Sequence, residues 1–246
     1  MTTTAAIRPT QATKRVPMTG MRKAALAGGA FYLITFAFSI PALGLIDPVL
    51  HANYIVGTGS DTRVLWGCLF DLINALAGVG SAVALYPVVK RYGESLALGI
   101  VASRIYEMAV IMIGVVSLLA VVTLRKDGAA GAAPDSLVMA GRSLVAVRNW
   151  TFLVGPAFIA GVNALLLGTL MYRSRLVPRW IPTMGLVAAP FFLAAAVASI
   201  LSGHVDTTVA RAVTTLPIGA WEFSLGSYLV VKGFKPSVAT AEGDSA

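Results

Sequence analysis

The sequence predicts an all-α polytopic membrane protein, a transmembrane helical bundle of six spans with both termini in the cytoplasm. Hydrophobic residues make up 57% of the 246 residues and charged residues only 12%, which is about half the charged share of a soluble domain. The apolar residues are gathered in long blocks without a polar face, a pattern typical of helices that cross hydrocarbon. The distribution of Lys and Arg between the blocks indicates the orientation.

Six apolar blocks are long enough to cross the bilayer, because each reaches the roughly 20 residues that a transmembrane helix needs. A transmembrane strand would instead show alternating polarity over about 10 residues. The predicted spans are 24–45, 64–89, 95–124, 145–172, 181–201 and 212–231. They form one domain over 22–235, and we expect a flexible basic tail at 1–21 and a disordered polar tail at 236–246.

Basic residues are unevenly divided between the two sides of the predicted spans. Twelve Lys and Arg residues fall on the side that holds both termini, and five fall on the other side. The positive-inside rule places the richer side in the cytoplasm, so we predict a multi-pass membrane protein with both termini in the cytoplasm. The formal net charge of +8 is then explained by topology and predicts no nucleic-acid partner. Membrane lipids are the expected partners, and no pattern in the sequence decides whether the chain forms a homo-oligomer.

Five ionisable side chains interrupt the predicted spans: Asp71, Arg104, Glu107, Arg148 and Glu222. Each costs roughly 2.5–3.5 kcal/mol at the centre of a span on insertion scales, so each needs a partner, a proton or a water-filled path. Arg104 and Glu107 are three residues apart on one helix and are expected to pair. Asp71 and Arg148 lie at similar depth and are expected to pair between helices. Glu222 has no basic residue within one turn and is predicted to be the surplus carboxylate.

Two amides complete the candidate polar site. Asn74 lies one turn after Asp71 on the same helix face, and Asn163 lies deep in the fourth span. Glu222 lies on a strip of small residues, which let another helix approach closely. The candidate site therefore comprises Asp71, Asn74, Arg104, Glu107, Arg148, Asn163 and Glu222.

Three functions are compatible with such a site. The first is a pathway for a small molecule, an ion or protons, which explains the interior charges and the prolines within or near four spans. The second is a non-catalytic scaffold or lipid-binding factor, in which the charges only fix helix packing. The third is an enzyme that modifies lipids with two buried carboxylates. The sequence does not favour an enzyme, because both histidines lie in predicted outer loops and no hydrolase, metalloprotease or cofactor motif occurs.

Neither a cofactor nor a metal is expected from the residue types present. The single cysteine, Cys68, lies in the second span and excludes an intrachain disulfide or a cysteine-based metal site. We therefore assign no catalytic, cofactor-binding or metal-ligating residue.

An ordered series of short motifs resembles a bacterial, largely actinobacterial, membrane family known as domain of unknown function 4386. The series extends over nearly everything from residue 22 to residue 236. Its members are Arg22-Lys23-Ala24-Ala25, Ile40-Pro41-Ala42-Leu43, Asp47-Pro48, Tyr54-Ile55, Asp61-Thr62-Arg63, Ala102-Ser103-Arg104-Ile105-Tyr106-Glu107, Trp150-Thr151-Phe152, Gly155-Pro156, Trp221-Glu222 and Lys232-Gly233-Phe234. The resemblance implies a multi-span inner-membrane protein with no settled activity, and it supplies no catalytic residues.

Overall fold

The computed structural model describes residues 18–51, 53–57, 59–128, 131, 133–204 and 209–235, and these residues form helices and turns without a strand. Most of the predicted N-terminal tail, and the predicted C-terminal tail, lie outside the described residues. The helices are α1 (Gly20–Ile46), α2 (Asp61–Val89), α3 (Glu94–Gly128), α4 (Pro134–Phe152), α5 (Phe158–Ser174), α6 (Trp180–Leu201) and α7 (Val209–Val231). A π-helix, Leu153–Ala157, joins α4 and α5.

The all-α membrane fold predicted from the sequence is confirmed. Among the described residues, five helical segments are long and apolar enough to cross a membrane: α1, α2, α3, α4 together with α5, and α6. The described apolar part of α7, Leu216–Val231, is a shorter helix of the same character. Because α4 and α5 form one continuous segment, the seven helices make six spans.

The predicted outer end of the fourth span is wrong. The prediction placed its start at residue 145 and a loop before it, whereas α4 begins at Pro134. Pro134 in the first turn and Asp135 beside it favour a helix start, because a proline needs no donor there and a carboxylate complements the helix dipole. Leu137 and Val138 in the second turn are apolar and pack against a buried cluster, but Gly141, Arg142 and Ser143 separate them from the predicted span, so hydropathy alone did not include them.

The six spans close into a ring. In chain order α1 packs on α2, α2 on α3, α3 on both α4 and α5, α5 on α6, α6 on α7, and α7 on α1. Arg22 at the start of α1 donates hydrogen bonds to the carbonyls of Leu229 (3.0 Å) and Val230 (2.7 Å) at the end of α7. A helix end leaves such carbonyls unpaired. Arg22 therefore joins the first and last spans at the face that carries both termini.

The half of the bundle next to the termini is closely packed. A Cβ atom built on Gly29 of α1 would lie 2.7 Å from the carbonyl oxygen of Gly226 of α7. A Cβ atom on Gly185 of α6 would lie 2.6 Å from the ring of Trp221. Both approaches require glycine, because a real Cβ atom is not found so close to its neighbours. These contacts bring α1, α6 and α7 close together in the termini-side half of the described bundle.

A polar clasp ties the opposite end of the bundle together. Arg125 at the end of α3 donates to the carboxylate of Asp61 and to the carbonyl of Gly57 (2.7 Å), and its guanidinium lies 4.6 Å from the centre of the Tyr54 ring. The Tyr54 hydroxyl donates to Asp61 at 2.8 Å. Burial and this hydrogen bond raise the pKa of Tyr54 to about 12, so the phenol keeps its proton at neutral pH. The clasp holds the loop between α1 and α2 against α3.

A candidate polar cavity between the six spans

One cavity of about 670 Å³ lies between the spans, and each of the six contributes lining residues. All five charged residues of the candidate site border it: Asp71, Arg104, Glu107, Arg148 and Glu222. Most of the remaining lining is aliphatic or aromatic. Cavities that bind small molecules commonly measure about 300–1,000 Å³ and combine an apolar wall with a few polar groups. This cavity has the size and the lining of such a site.

Arg104 of α3 is the centre of the larger charge group. Its Nη1 donates to Glu107 at 2.9 Å, and its Nη2 donates to Glu222 of α7 at 2.9 Å and to the Tyr32 hydroxyl of α1 at 3.3 Å. The predicted pair of Arg104 and Glu107 is confirmed. The prediction that Glu222 lacks a basic partner is wrong, because the ring of spans brings the side chain of Glu222 on α7 within hydrogen-bond distance of Arg104 on α3. Spacing along one helix could not reveal this partner.

Glu107 is held by a second donor from α5. The Nδ2 of Asn163 donates to Glu107 at 3.1 Å, and the Ser103 hydroxyl donates to the Oδ1 of the same amide. Asn163 is fully buried behind the carboxylate and does not border the cavity. Glu107 therefore accepts two hydrogen bonds from side chains, whereas Glu222 accepts only the one from Arg104 within the described part of the chain.

Asp71 and Arg148 form the second charge group, and their predicted pairing is confirmed. The Nη2 of Arg148 lies 3.4 Å from the Oδ2 of Asp71, and both side chains are buried. The guanidinium also lies 4.9 Å from the centre of the Phe152 ring. A Cβ atom on Gly114 of α3 would meet Arg148 at 3.0 Å. The glycine thus leaves room for the arginine between α3 and α4.

Two further residues of this hydrogen-bond network were not predicted from the sequence: Tyr32, which accepts from Arg104, and Ser103, which donates to Asn163. Neither is ionised at neutral pH, so neither interrupts an apolar block as a charge does. Ser103 directly precedes Arg104, but this adjacency gives no indication of the bond to Asn163. Tyr32 carries no signal at all, because its contact with Arg104 depends on α1 packing beside α3 and α7.

The cavity has a formal surplus of negative charge and hydrogen-bonding groups that are not used. Three carboxylates and two guanidiniums border it. The Nε of Arg104 is buried without a hydrogen-bond partner among the described residues, and the Asn74 amide borders the cavity and likewise has no hydrogen bond to any of them. Buried polar groups in proteins are nearly always paired. The cavity therefore offers binding capacity to a polar group that enters it.

Among the described residues, no group of three or more His, Cys, Asp or Glu side chains comes together as metal ligands do. The two histidines lie outside the cavity lining. The chemical resources of the site are therefore carboxylates, guanidiniums and an amide. Such groups can bind ions, exchange protons and orient a polar head group.

One comparison with known proteins gave a match. The sequence model of a family described as "Domain of unknown function (DUF4386)" matches residues 27–233. The matched stretch contains all seven residues of the candidate site. No curated protein and no solved structure matches the chain.

Proposed function

We propose a transport-related function for this chain, which belongs to the DUF4386 family of domains of unknown function. The cavity serves as part of a pathway for a small molecule and for protons through the bacterial inner membrane. The observation that carries this proposal is that all five intramembrane charges border one cavity. Charges that serve only helix packing have no reason to share an open space, because an open space adds nothing to packing.

Glu222 is the residue we assign to proton exchange. One proton on this carboxyl leaves two carboxylates and two guanidiniums, so that the cavity carries no formal net charge. Of the two carboxyl groups beside Arg104, Glu107 accepts from two side chains and Glu222 accepts from only one within the described part of the chain. Ionisable residues at membrane depth that face a cavity are the usual components of proton relays.

The described conformation supports a pathway that is closed on one side. The half next to the termini is sealed by the close contacts of α1, α6 and α7. The Lys and Arg distribution assigns this half to the cytoplasm. The cavity then lies in the outer and central parts of the membrane, and transport to the cytoplasm requires α7 to separate from α1 and α6 at their glycines.

Proton uptake by reconstituted protein tests the proposal. Proteoliposomes with an alkaline interior and a pH-sensitive dye are diluted into acidic buffer containing a potassium ionophore, and internal acidification is followed. The wild-type chain should acidify the vesicles faster than protein-free liposomes. Glu222→Gln should reduce the rate to the protein-free value.

Glu94→Gln is the matched control, because Glu94 is an exposed carboxylate at the start of α3 and lies outside the cavity lining. It should leave the rate unchanged. Wild-type proteoliposomes no faster than protein-free ones would contradict the proposal. So would a folded Glu222→Gln variant that keeps the wild-type rate.

A non-catalytic scaffold is the second candidate, and one observation favours it. Each of the five charged side chains has an ion-pair partner in the described structure, as a network that only fixes helix packing would require. The two functions differ in what Glu222→Gln does. A scaffold predicts a lower melting temperature and no proton uptake by the wild type, whereas a pathway predicts loss of uptake with the fold retained.

A further inference from the structure

The cavity opens sideways between α1 and α7. Four of its lining side chains remain strongly exposed: Ile40 (63%) and Leu43 (49%) on α1, and Leu216 (72%) and Phe223 (52%) on α7. The charged lining residues of α2, α3 and α4 are below 10%. A lining side chain that is half exposed or more lies where the cavity meets the surroundings. We call the opening bounded by these four residues the mouth.

The mouth faces lipid rather than the aqueous phase. Ile40 and Leu43 precede the last residue of α1 by six and three residues, which places them about 5–9 Å below the helix end at 1.5 Å per residue. Leu216 follows the first residue of α7 by seven, or about 10 Å. All four side chains are apolar. At that depth, and with that chemistry, the mouth borders the hydrocarbon layer, which is about 30 Å thick.

The wall behind the mouth favours a positive charge. Glu222 directly precedes Phe223, one of the four mouth residues, in the sequence. Four phenylalanine side chains line the same cavity: Phe36, Phe152, Phe192 and Phe223. Aromatic faces attract cations, and most strongly where water is excluded. A surplus carboxylate among aromatic rings therefore complements a cation that carries apolar groups.

We propose that the cavity binds a lipophilic cation, with its apolar body in the mouth and its positive group beside Glu222. This inference rests on the proposed function, because it takes the cavity as a binding site. When the cation enters, the protonated carboxyl of Glu222 releases its proton to solvent, and the resulting carboxylate pairs with the cation. One positive charge replaces another, so the charge of the cavity is unchanged.

The charged and titratable side chains that face Glu222 determine how the charges balance in this exchange. Arg104 and Glu107 face it from α3 and Tyr32 faces it from α1. The pair of Asp71 and Arg148 borders the same cavity and is internally neutral. Arg104, Glu107 and Glu222 form a triad of one guanidinium and two carboxyl groups. One of the two carboxyl groups therefore has no cation of its own. We assign this role to Glu222, whose proton the entering cation replaces.

Two ions of equal shape and opposite charge test the ligand class. Tetraphenylphosphonium and tetraphenylborate are offered to the protein in lipid nanodiscs, and bound ion is measured by equilibrium dialysis against empty nanodiscs. Tetraphenylphosphonium should bind saturably, at least about tenfold more tightly than tetraphenylborate, which is about 1.4 kcal/mol. Its binding should release protons and weaken as the pH falls. Glu222→Gln should weaken it at least about tenfold, and Glu94→Gln should not.

Filling the mouth tests where the ligand lies. A Cβ atom on Gly219 would lie 3.8 Å from Phe36, an ordinary contact, so Gly219→Leu and Gly219→Phe add bulk to the cavity without a backbone clash. Gly44→Phe is the control, because it adds the same bulk on α1 with nothing within 4 Å and outside the lining. Both Gly219 variants should lose tetraphenylphosphonium binding, whereas Gly44→Phe should keep it. Thermal melting identifies any variant that fails to fold. If Gly219→Phe fails to fold, Gly219→Leu provides the test.

Three results would overturn the inference. Tetraphenylborate bound as tightly as tetraphenylphosphonium would contradict the ligand class. A folded Gly219 variant with wild-type binding would contradict the position in the mouth. Absence of tetraphenylphosphonium binding overturns this inference alone if Glu222-dependent proton uptake persists, and overturns the proposed function as well if that uptake is also missing.

Discussion

Arg104 holds more of the site together than any other residue of the described chain. Its guanidinium serves two carboxylates and one phenol from three helices. A buried charge that loses its partner is more costly than a pair that is absent altogether, because the remaining charge is neither solvated nor neutralised. The arginine therefore supplies the positive charge that Glu107 and Glu222 share.

Arg104→Gln should lower the stability by up to about 3–5 kcal/mol, because it leaves two neighbouring buried carboxylates without a cation. Adding Glu222→Gln to this variant should restore part of the loss, since only one carboxylate then remains. Melting temperatures of the wild type, both single variants and the double variant measure the coupling. Additive effects of the two substitutions would contradict a direct interaction between these residues.

Asp71→Asn should destabilise the protein more than the double variant Asp71→Asn/Arg148→Gln does. The single change leaves the buried Arg148 without its carboxylate, whereas the double change removes both charges. Thermal melting in the same detergent compares the two. A double variant that is less stable than the single one would show that Arg148 depends mainly on other contacts, such as the Phe152 ring.

The ion pairs predicted from the sequence were confirmed where both side chains lie on one helix or at the same depth in two spans. Arg104 and Glu107 share a helix face, and Asp71 and Arg148 lie at matching depths on two spans. The contact of Arg104 with Glu222 joins residues 118 apart in sequence. It depends on how the ring of spans closes, which hydropathy does not encode, so Glu222 was wrongly expected to be unpaired.

Helices α1 and α7 are in backbone contact at one end, and at the other end they form the two edges of the mouth. Gly29 and Gly226 allow the contact, and the edge-to-face pair of Phe36 and Phe223, with ring centres 5.6 Å apart, marks where the mouth begins. Each helix also carries a proline on the mouth side of its middle, Pro41 and Pro217. A proline removes one backbone hydrogen bond and bends the helix. These features make the two helices the element pair that a transport cycle would move.

Gly226→Val should destabilise the bundle by about 1–3 kcal/mol through overpacking. A Cβ atom at this position would lie 2.9 Å from the Cβ of Tyr32 and 3.3 Å from the carbonyl oxygen of Gly29. Gly44→Val on α1 is the control, because a Cβ atom there meets nothing within 4 Å. Melting temperatures measure the difference. Equal stability of the two variants would contradict the close contact of α1 and α7.

At the level of elements, the sequence predicted the apolar spans that lipid exposure requires. It did not predict the features of the helices that lipid exposure leaves undetermined. Six apolar blocks mark six spans because every backbone segment in hydrocarbon must be helical and apolar outside. The first turns of α4, from Pro134, project beyond any such block. The π-helix around Pro156 was also missed, because one extra residue in a turn changes the apolar pattern too little.

The whole molecule is a ring whose two ends lie on the same face. Arg22 connects the start of α1 with the end of α7, and six spans return the chain to the side on which it began. Fusions of alkaline phosphatase to either terminus should be inactive, and fusions of green fluorescent protein should fluoresce, because we expect both termini in the cytoplasm. Phosphatase activity at both termini would reverse the orientation, and activity at only one would contradict six spans.

The central claim is that Glu222, which shares one cavity with two other carboxyl groups and two guanidiniums, borders this cavity at membrane depth and exchanges a proton there. Dicyclohexylcarbodiimide tests it most directly, because this apolar reagent enters through lipid and reacts with protonated carboxyl groups. The protein in nanodiscs is treated at several pH values, and adducts are located by mass spectrometry of its peptides. We predict an adduct on Glu222 that forms more slowly as the pH rises. A chain in which Glu222 is not modified at any pH, even if Glu107 is, would contradict the account.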